Sequence, residues 1–205
     1  MPGRLILNSP ISAVCAAFPA VAPYCGTEPA RHNIQPGQDI LVATRQGFQK
    51  MRWGIIPVGR VNARGRPVME TIINARSETI FEKSAFQGVT RGVIPADGWY
   101  EWTGEKRRKQ PWRISRTDRS LLWFAAICDV WIGPSGINLP QAAAVTCAPN
   151  ADVKDIHHRM GILLEPDTIP LWLNPDPEIA KTALVQPAAG KLIVEKADDV
   201  DWSRL

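Results

Sequence analysis

Asn74, Glu101 and His157 stand in three short segments where polar side chains capable of chemistry crowd against apolar ones. In "INARSET" (73 to 79) an apolar stretch runs into Asn74, Arg76 and Glu78. Asn74 offers an amide donor and an acceptor, and Arg76 offers a planar fork that suits a phosphate. Taken alone, the segment also reads as a simple strand-to-helix junction. In "IPADGWYEW" (94 to 102) Glu101 follows an Asp-Gly turn and sits between aromatic residues. Strand alternation puts Trp99 and Glu101 on one face and Tyr100 and Trp102 on the other. A carboxylate among rings loses hydration, so its pKa should rise towards the range of a general acid or base. The plain alternative is an exposed edge-strand glutamate. "DIHHRM" (155 to 160) holds two of the chain's three histidines, the third being His32. Adjacent side chains diverge, so one of the pair at most faces a given site. Without carboxylate or cysteine company at metal-binding spacing, proton transfer is the better functional reading for it.

Bringing such segments together takes a scaffold, and the chain is cut for a strand-rich one. Eighteen prolines and fifteen glycines break it into short pieces with no long repeat. Strands are expected at 39–44, 48–56, 91–96, 99–103, 111–116, 121–131, 142–148 and 161–165, from apolar and β-branched runs bounded by turn residues. Helices are expected at 9–18, with Ser9 as N-cap and Pro10 at the first helical position, at 77–86, and at 175–185 with Asp176 as cap. The stretch 152–159 reads as a helix entering a strand. Many short strands and few helices imply a mainly antiparallel α+β fold. Residues 1–205 suit a single domain.

Composition narrows the function classes. With 45% hydrophobic residues the chain can bury a full core without staples, and a formal charge of +4 is compatible with an anionic partner. The basic run "EKRRKQ" (105 to 110) reads either as a solvated hairpin tip or as a phosphate-contacting loop. Cysteines 15, 25, 128 and 147 lack CxxC or CxxH spacing, so we expect reduced thiols and no metal. No Gly-rich loop sits at a strand-to-helix junction, which disfavours nucleotide binding, and no cofactor is expected. No apolar stretch reaches membrane-spanning length and no leader pattern opens the chain, so a cytoplasmic protein without a membrane partner is expected.

In order along the chain, "MPGR", "RHNIQPGQ", "MRWGIIP", "INARSET", "RGVIPADGWYEW", "KQPWRI", "LWFAAICDVW" and "VTCAPNADVKDIHHRM" resemble the SOS-response-associated peptidase (SRAP) family, whose members crosslink to abasic sites in single-stranded DNA. The resemblance implies an α+β domain with a bent, barrel-like, mainly antiparallel sheet and flanking short helices. It implies that Asn74 orients a nucleophile at position 2 and that Glu101 and His157 move protons. It also implies that Arg4, Pro36, Arg76, Thr146 and Arg159 lie along a groove for single-stranded or junction DNA carrying an abasic site.

The departures from the family bear on chemistry. The family begins Met-Cys-Gly-Arg, and removal of Met frees a cysteine whose amine and thiol close a thiazolidine on the sugar aldehyde. Here position 2 is Pro2, which has no sulfur. Three readings stay open: an inert, non-covalent DNA-binding module; a secondary amine that, once Met1 is removed, forms an iminium and allows lyase-like β-elimination; or a different substrate. A peptidase activity rests on the family's name, and Ser77 and Ser84 lie in no triad-like context. The loop "VGRVNARGRPVME" (58 to 70) carries three arginines where the family commonly has bulky aromatics, which favours phosphate contact over base stacking. "IHHRMG" puts His158 after the histidine in place of the usual Asp, and Gly161 in place of Pro.

Overall fold

The computed structural model describes residues 2–19, 24, 26–57, 71–105, 108–133 and 136–202. The arginine-bearing loop at 58–70 and the tip residues 106–107 lie outside the described residues.

Twelve strands are formed by the described residues: β1 (Leu5–Leu7), β2 (Arg31–Ile34), β3 (Asp39–Thr44), β4 (Gly47–Trp53), β5 (Asn74–Arg76), β6 (Thr90–Ala96), β7 (Gly98–Thr103), β8 (Gln110–Arg116), β9 (Leu122–Ile132), β10 (Asn138–Cys147), β11 (Met160–Gly161) and β12 (Leu192–Lys196). Three short helices accompany them, α1 (Ile11–Ala16), α2 (Ile169–Trp172) and α3 (Pro177–Lys181). One sheet runs β12-β8-β7-β1-β2. In the other, β10-β4-β3-β6-β9 closes on itself because β9 pairs back with β10. This is the mainly antiparallel, barrel-like α+β architecture expected, and closure removes the exposed edges an open sheet would carry. No helix among the described residues is long and apolar enough to cross a membrane.

Strand β10 is the organising element, because each of its edges changes partner along its length. On one edge it pairs in parallel with β4 at Gln141 and Ala142, then with β5 from Ala144 to Thr146. On the other it pairs with β9 from Asn138 to Ala144, then with β11 at Thr146 and Cys147. The hand-over leaves Arg76 and Gly161 on opposite sides of Thr146. The handover to β5 is pinned by the Trp53 indole N–H, which donates to the Ile73 carbonyl at 3.0 Å, and by the Ile55–Ile72 bridge. Trp53, Trp99, Trp172 and Phe124 are fully buried, and rings of this size cost about 3–5 kcal/mol when truncated in packed cores. Trp99 meets Phe124 edge-on at 5.5 Å, which ties the open sheet to the closed one.

Alternation along β7 is as expected. Trp99 joins the main core, while Tyr100 packs on the opposite face with Trp102 and Trp202. The helix forecast was less accurate. Helix α1 begins one residue later than expected, with Pro10 as its cap, because Ser9 is used elsewhere: its amide and hydroxyl both donate to Asp97. Asp176 caps α3 as expected, accepting from the Glu178 amide at 2.8 Å. The expected helix at 77–86 is instead a series of turns ending in a 3-10 turn at Ser84–Phe86. Its buried anchors Ile80 and Phe86 are six residues apart, about 120° apart round a helix, so one straight helix would not point both the same way. The stretch 152–159 is likewise hydrogen-bonded turn, not helix, with Lys154 and His157 amides returning to Asn150 and Val153. The strand expected at 161–165 is regular only at Met160–Gly161, since beyond it Ile162 bonds outward to both Val145 and Ala125.

A candidate active site at the end of strand β10

Glu101 lies on β7 with 3% of its surface exposed. Burial pushes its carboxyl up to about 7, so near neutrality it is about half protonated. His157 closes the turn after Val153, and its Nε2 is 4.0 Å from Glu101 Oε2. Burial pulls the imidazole down to about 4, helped by the neighbouring His158, whose ring stacks on it at 4.3 Å. Between these two values the pair is neutral on both sides, so it is no salt bridge there. A gap of 4.0 Å is beyond a direct hydrogen bond and suits relay through one water. His157 Nδ1 lies 3.1 Å from the Arg159 carbonyl and 3.0 Å from the Arg159 amide; donating to the carbonyl puts the imidazole N–H on Nδ1 and leaves the Nε2 lone pair towards Glu101, open to a proton.

Pro2 is buried, and its carbonyl accepts a 2.8 Å hydrogen bond from Asn74 Nδ2. Asn74 opens β5 opposite Ala144, so the hand-over on β10 aims its side chain at the chain start. The Asn74 Oδ1 is buried with no hydrogen bond among the described residues, leaving an acceptor in reserve. From the other side, β1 carries the start past β7. Leu5 opposes Trp99 and the Tyr100 amide donates to the Arg4 carbonyl, so the chain start runs alongside the strand that carries Glu101. Gly161 faces the Pro2 ring: a Cβ there would lie 3.6 Å from Pro2 Cγ and only 2.4 Å from Phe124 Cδ1. Any larger residue would have to displace Phe124. The fold therefore links two pairs, Asn74 with Pro2 and Glu101 with His157, around β10 and β7.

The expected groove residues divide into several kinds. Arg76, at the end of β5, is exposed; its carbonyl accepts from the Thr79 amide, while its side chain makes no hydrogen bond or ion pair among the described residues. Arg4 is half-buried and loses affinity for its proton through that burial; its Nε is buried without a partner among the described residues. Arg159 is held by Glu78 through two bonds of 2.6 and 2.9 Å, and it donates to the Thr146 carbonyl at 2.6 Å. Thr146 is fully buried, and its hydroxyl donates to Ala75 O and accepts from Arg159. Pro36 lies at one remove, in a turn whose Gly37 amide donates to the Trp53 carbonyl. Sequence reasoning assigned no role to Glu78, although it lies three residues after Ala75 in the same segment; its pairing to a residue eighty-one positions away left no local signal.

A closed barrel whose central strand gathers Asn74, Arg76 and Arg159 beside a buried glutamate and a neutral histidine matches a known kind of protein. A family model described as SOS response associated peptidase (SRAP) matches residues 1–199, and the chain belongs to that family. It is similar to the abasic site processing protein YoaM of Bacillus subtilis, 38% identical over 70% of this chain and 66% of that one. It is similar to YedK of Escherichia coli, 29% identical over 74% and 68%, and to HMCES of Gallus gallus, 30% identical over 71% and 49%, both also called abasic site processing proteins. The chain thus spans about two thirds of the bacterial relatives and half of the avian one. Among solved structures, a Bacteroides thetaiotaomicron protein superposes with a TM-score of 0.79 at 22% identity, over 94% of this chain and 90% of that one. A phage-related protein of Bordetella bronchiseptica does so with 0.76 at 25% identity, over 96% and 94%.

Proposed function

We propose that this protein acts on abasic sites in single-stranded or junction DNA as part of a DNA damage response, with the Pro2 amine as its reacting group once Met1 has been removed. The observation that carries the reading is the 2.8 Å bond from Asn74 to the Pro2 carbonyl, which fixes the chain just ahead of β1, the strand paired with the one that carries the half-protonated Glu101. The secondary amine adds to the open-chain aldehyde of the abasic sugar. A proton from Glu101 leaves with the hydroxyl as water, and an iminium remains. Loss of a proton from the adjacent sugar carbon to His157, neutral above pH of about 4, then lets the 3′ phosphate depart. Relatives named for abasic site processing support the substrate class.

Borohydride tests the chemistry. Met-free protein mixed with abasic single-stranded DNA should give a reductively trapped adduct of lowered mobility, and strand cleavage without reductant. The second reading, non-covalent binding, is favoured by the burial of Pro2, which a reacting sugar would have to reach. Neither trapped species nor cleavage would leave that reading standing.

Strand binding itself should weaken with salt, because arginines that meet phosphates, with Arg4, Arg76 and Arg159 as the candidates, release the counterions condensed on them. In this role Thr146, being internal, acts by holding Arg159. Arg76→Ala should weaken binding to all sequences alike and flatten the salt slope by about 0.7. Fluorescence titrations at several ionic strengths measure both, and a loss confined to one sequence would argue against a backbone contact.

A further inference from the structure

Arg159 already holds an anion. Its guanidinium is gripped from the protein side by the Thr146 carbonyl and hydroxyl at 2.6 and 3.3 Å, and only 11% of its side chain is exposed. Its outer edge carries the Glu78 carboxylate in a two-bond fork, and Glu78 is 51% exposed. The cation is thus fixed to β10, while the acid stands in solvent on the turn after β5. Turn geometry lets the acid swing away without disturbing a strand, since the Ser77 amide stays bonded to the Thr146 carbonyl. A carboxylate and a phosphate present the same pair of oxygens to an arginine fork. Arg76, two residues before Glu78, is exposed and pairs with Thr146 in the β5–β10 register.

We propose that Glu78 is an internal stand-in for a backbone phosphate, occupying the Arg159 fork in the free protein and yielding it when a nucleic-acid strand docks. This rests on the reading of Arg159 as a phosphate contact. Two consequences follow from charge alone. The phosphate sheds a condensed cation on meeting Arg159 while the freed Glu78 carboxylate takes one up, so the salt dependence of strand binding falls short of the number of arginines in contact. Weak or singly bonding anions fail to displace Glu78, so the site favours a strand that brings several phosphates at once.

The test is a titration of a fluorescein-labelled single strand against wild type, Glu78→Gln and the acid control Glu82→Gln, four residues on in the same run of turns and outside the fork, at several salt concentrations. Glu78→Gln should bind about two- to fivefold tighter at low salt, the factor associated with a partly exposed ion pair, and should steepen the salt slope by about 0.7. Glu82→Gln should do neither. The gain should vanish when Glu78→Gln is combined with Arg159→Ala, or with Arg159→Lys where the alanine variant does not fold, because lysine keeps the charge and loses the fork. Equal or weaker binding by Glu78→Gln, or a gain that persists without the arginine fork, overturns the proposal. If no protein binds the strand, the reading of the site as a DNA contact fails, and inorganic pyrophosphate decides the Glu78 question separately. A larger rise in melting temperature for Glu78→Gln than for wild type upholds the stand-in, and equal rises overturn it.

Discussion

Pro2→Cys, in protein freed of Met1, should form a link to abasic single-stranded DNA that survives denaturing electrophoresis without any reductant. The wild-type iminium hydrolyses readily, because water can add back to the same carbon. A cysteine at the chain start adds a thiol to that carbon and closes a five-membered ring. The new ring should turn a transient adduct into the main product. The groups needed to form the iminium are unchanged by the substitution: Asn74 bonds to the carbonyl of residue 2 and not to its side chain, and Glu101 and His157 lie on other elements. The space is also available, since cysteine is no larger than the proline that already fits against Gly161. Intact mass establishes that residue 2 is the first residue, and gel mobility then reads the link. A Met-free cysteine variant that forms no stable adduct would show that these groups do not meet the aldehyde in a working geometry.

Glu101→Gln should cost activity and add stability, in a pH-dependent way that distinguishes the two effects. Trapping of the wild-type adduct should fall about 10²- to 10⁴-fold in the variant, the range associated with losing a positioned proton donor. The wild-type rate should itself decline above pH of about 7 as the carboxyl gives up its proton. Stability runs the other way. The folded carboxyl holds its proton more tightly than the unfolded one, with a value of about 7 against 4.5. Its contribution is therefore fully present below about 4.5 and is lost as pH rises through about 7. A buried carboxylate then weighs against the fold by up to about 3 kcal/mol. Glutamine carries no such penalty, so the variant should gain on wild type in denaturant midpoint between pH 5 and pH 8. Unchanged relative stability across that window would mean that Glu101 is not buried as a neutral acid. The opposite shift of His157, whose contribution is present above about 6.5 and lost as pH falls through about 4, is common to both proteins.

Much of the site was legible residue by residue. Alternation along β7 separated Glu101 from Tyr100, and the apolar neighbours forecast the direction of its pKa, because both depend on residues next to it in sequence. The relation of the two histidines was not legible: adjacent side chains are expected to diverge, but the exposed His158 ring stacks on His157, because a turn and not an extended strand carries them. The short elements were not legible. Strands β1, β5 and β12 hold three, three and five residues, too few to show a period, and β5 exists because β10 offers an edge where β4 ends.

The sequence by itself determined the polar segments, the strand-rich architecture and the absence of sulfur at position 2, since each is a matter of residue type and local spacing. Only the tertiary structure decided which of those groups meet. Asn74 reaches Pro2, and Arg159 reaches Glu78, across 72 and 81 residues of chain. Those encounters depend on β10 exchanging partners on both edges, a long-range pairing that no local pattern encodes. The expected helix at 77–86 gave way for the same reason: the Ser77 amide bonds to β10, and two buried anchors outweigh helical propensity. Burial, which no single residue carries, then left one carboxyl and one imidazole uncharged side by side, and that neutrality is what suits the pair to moving protons.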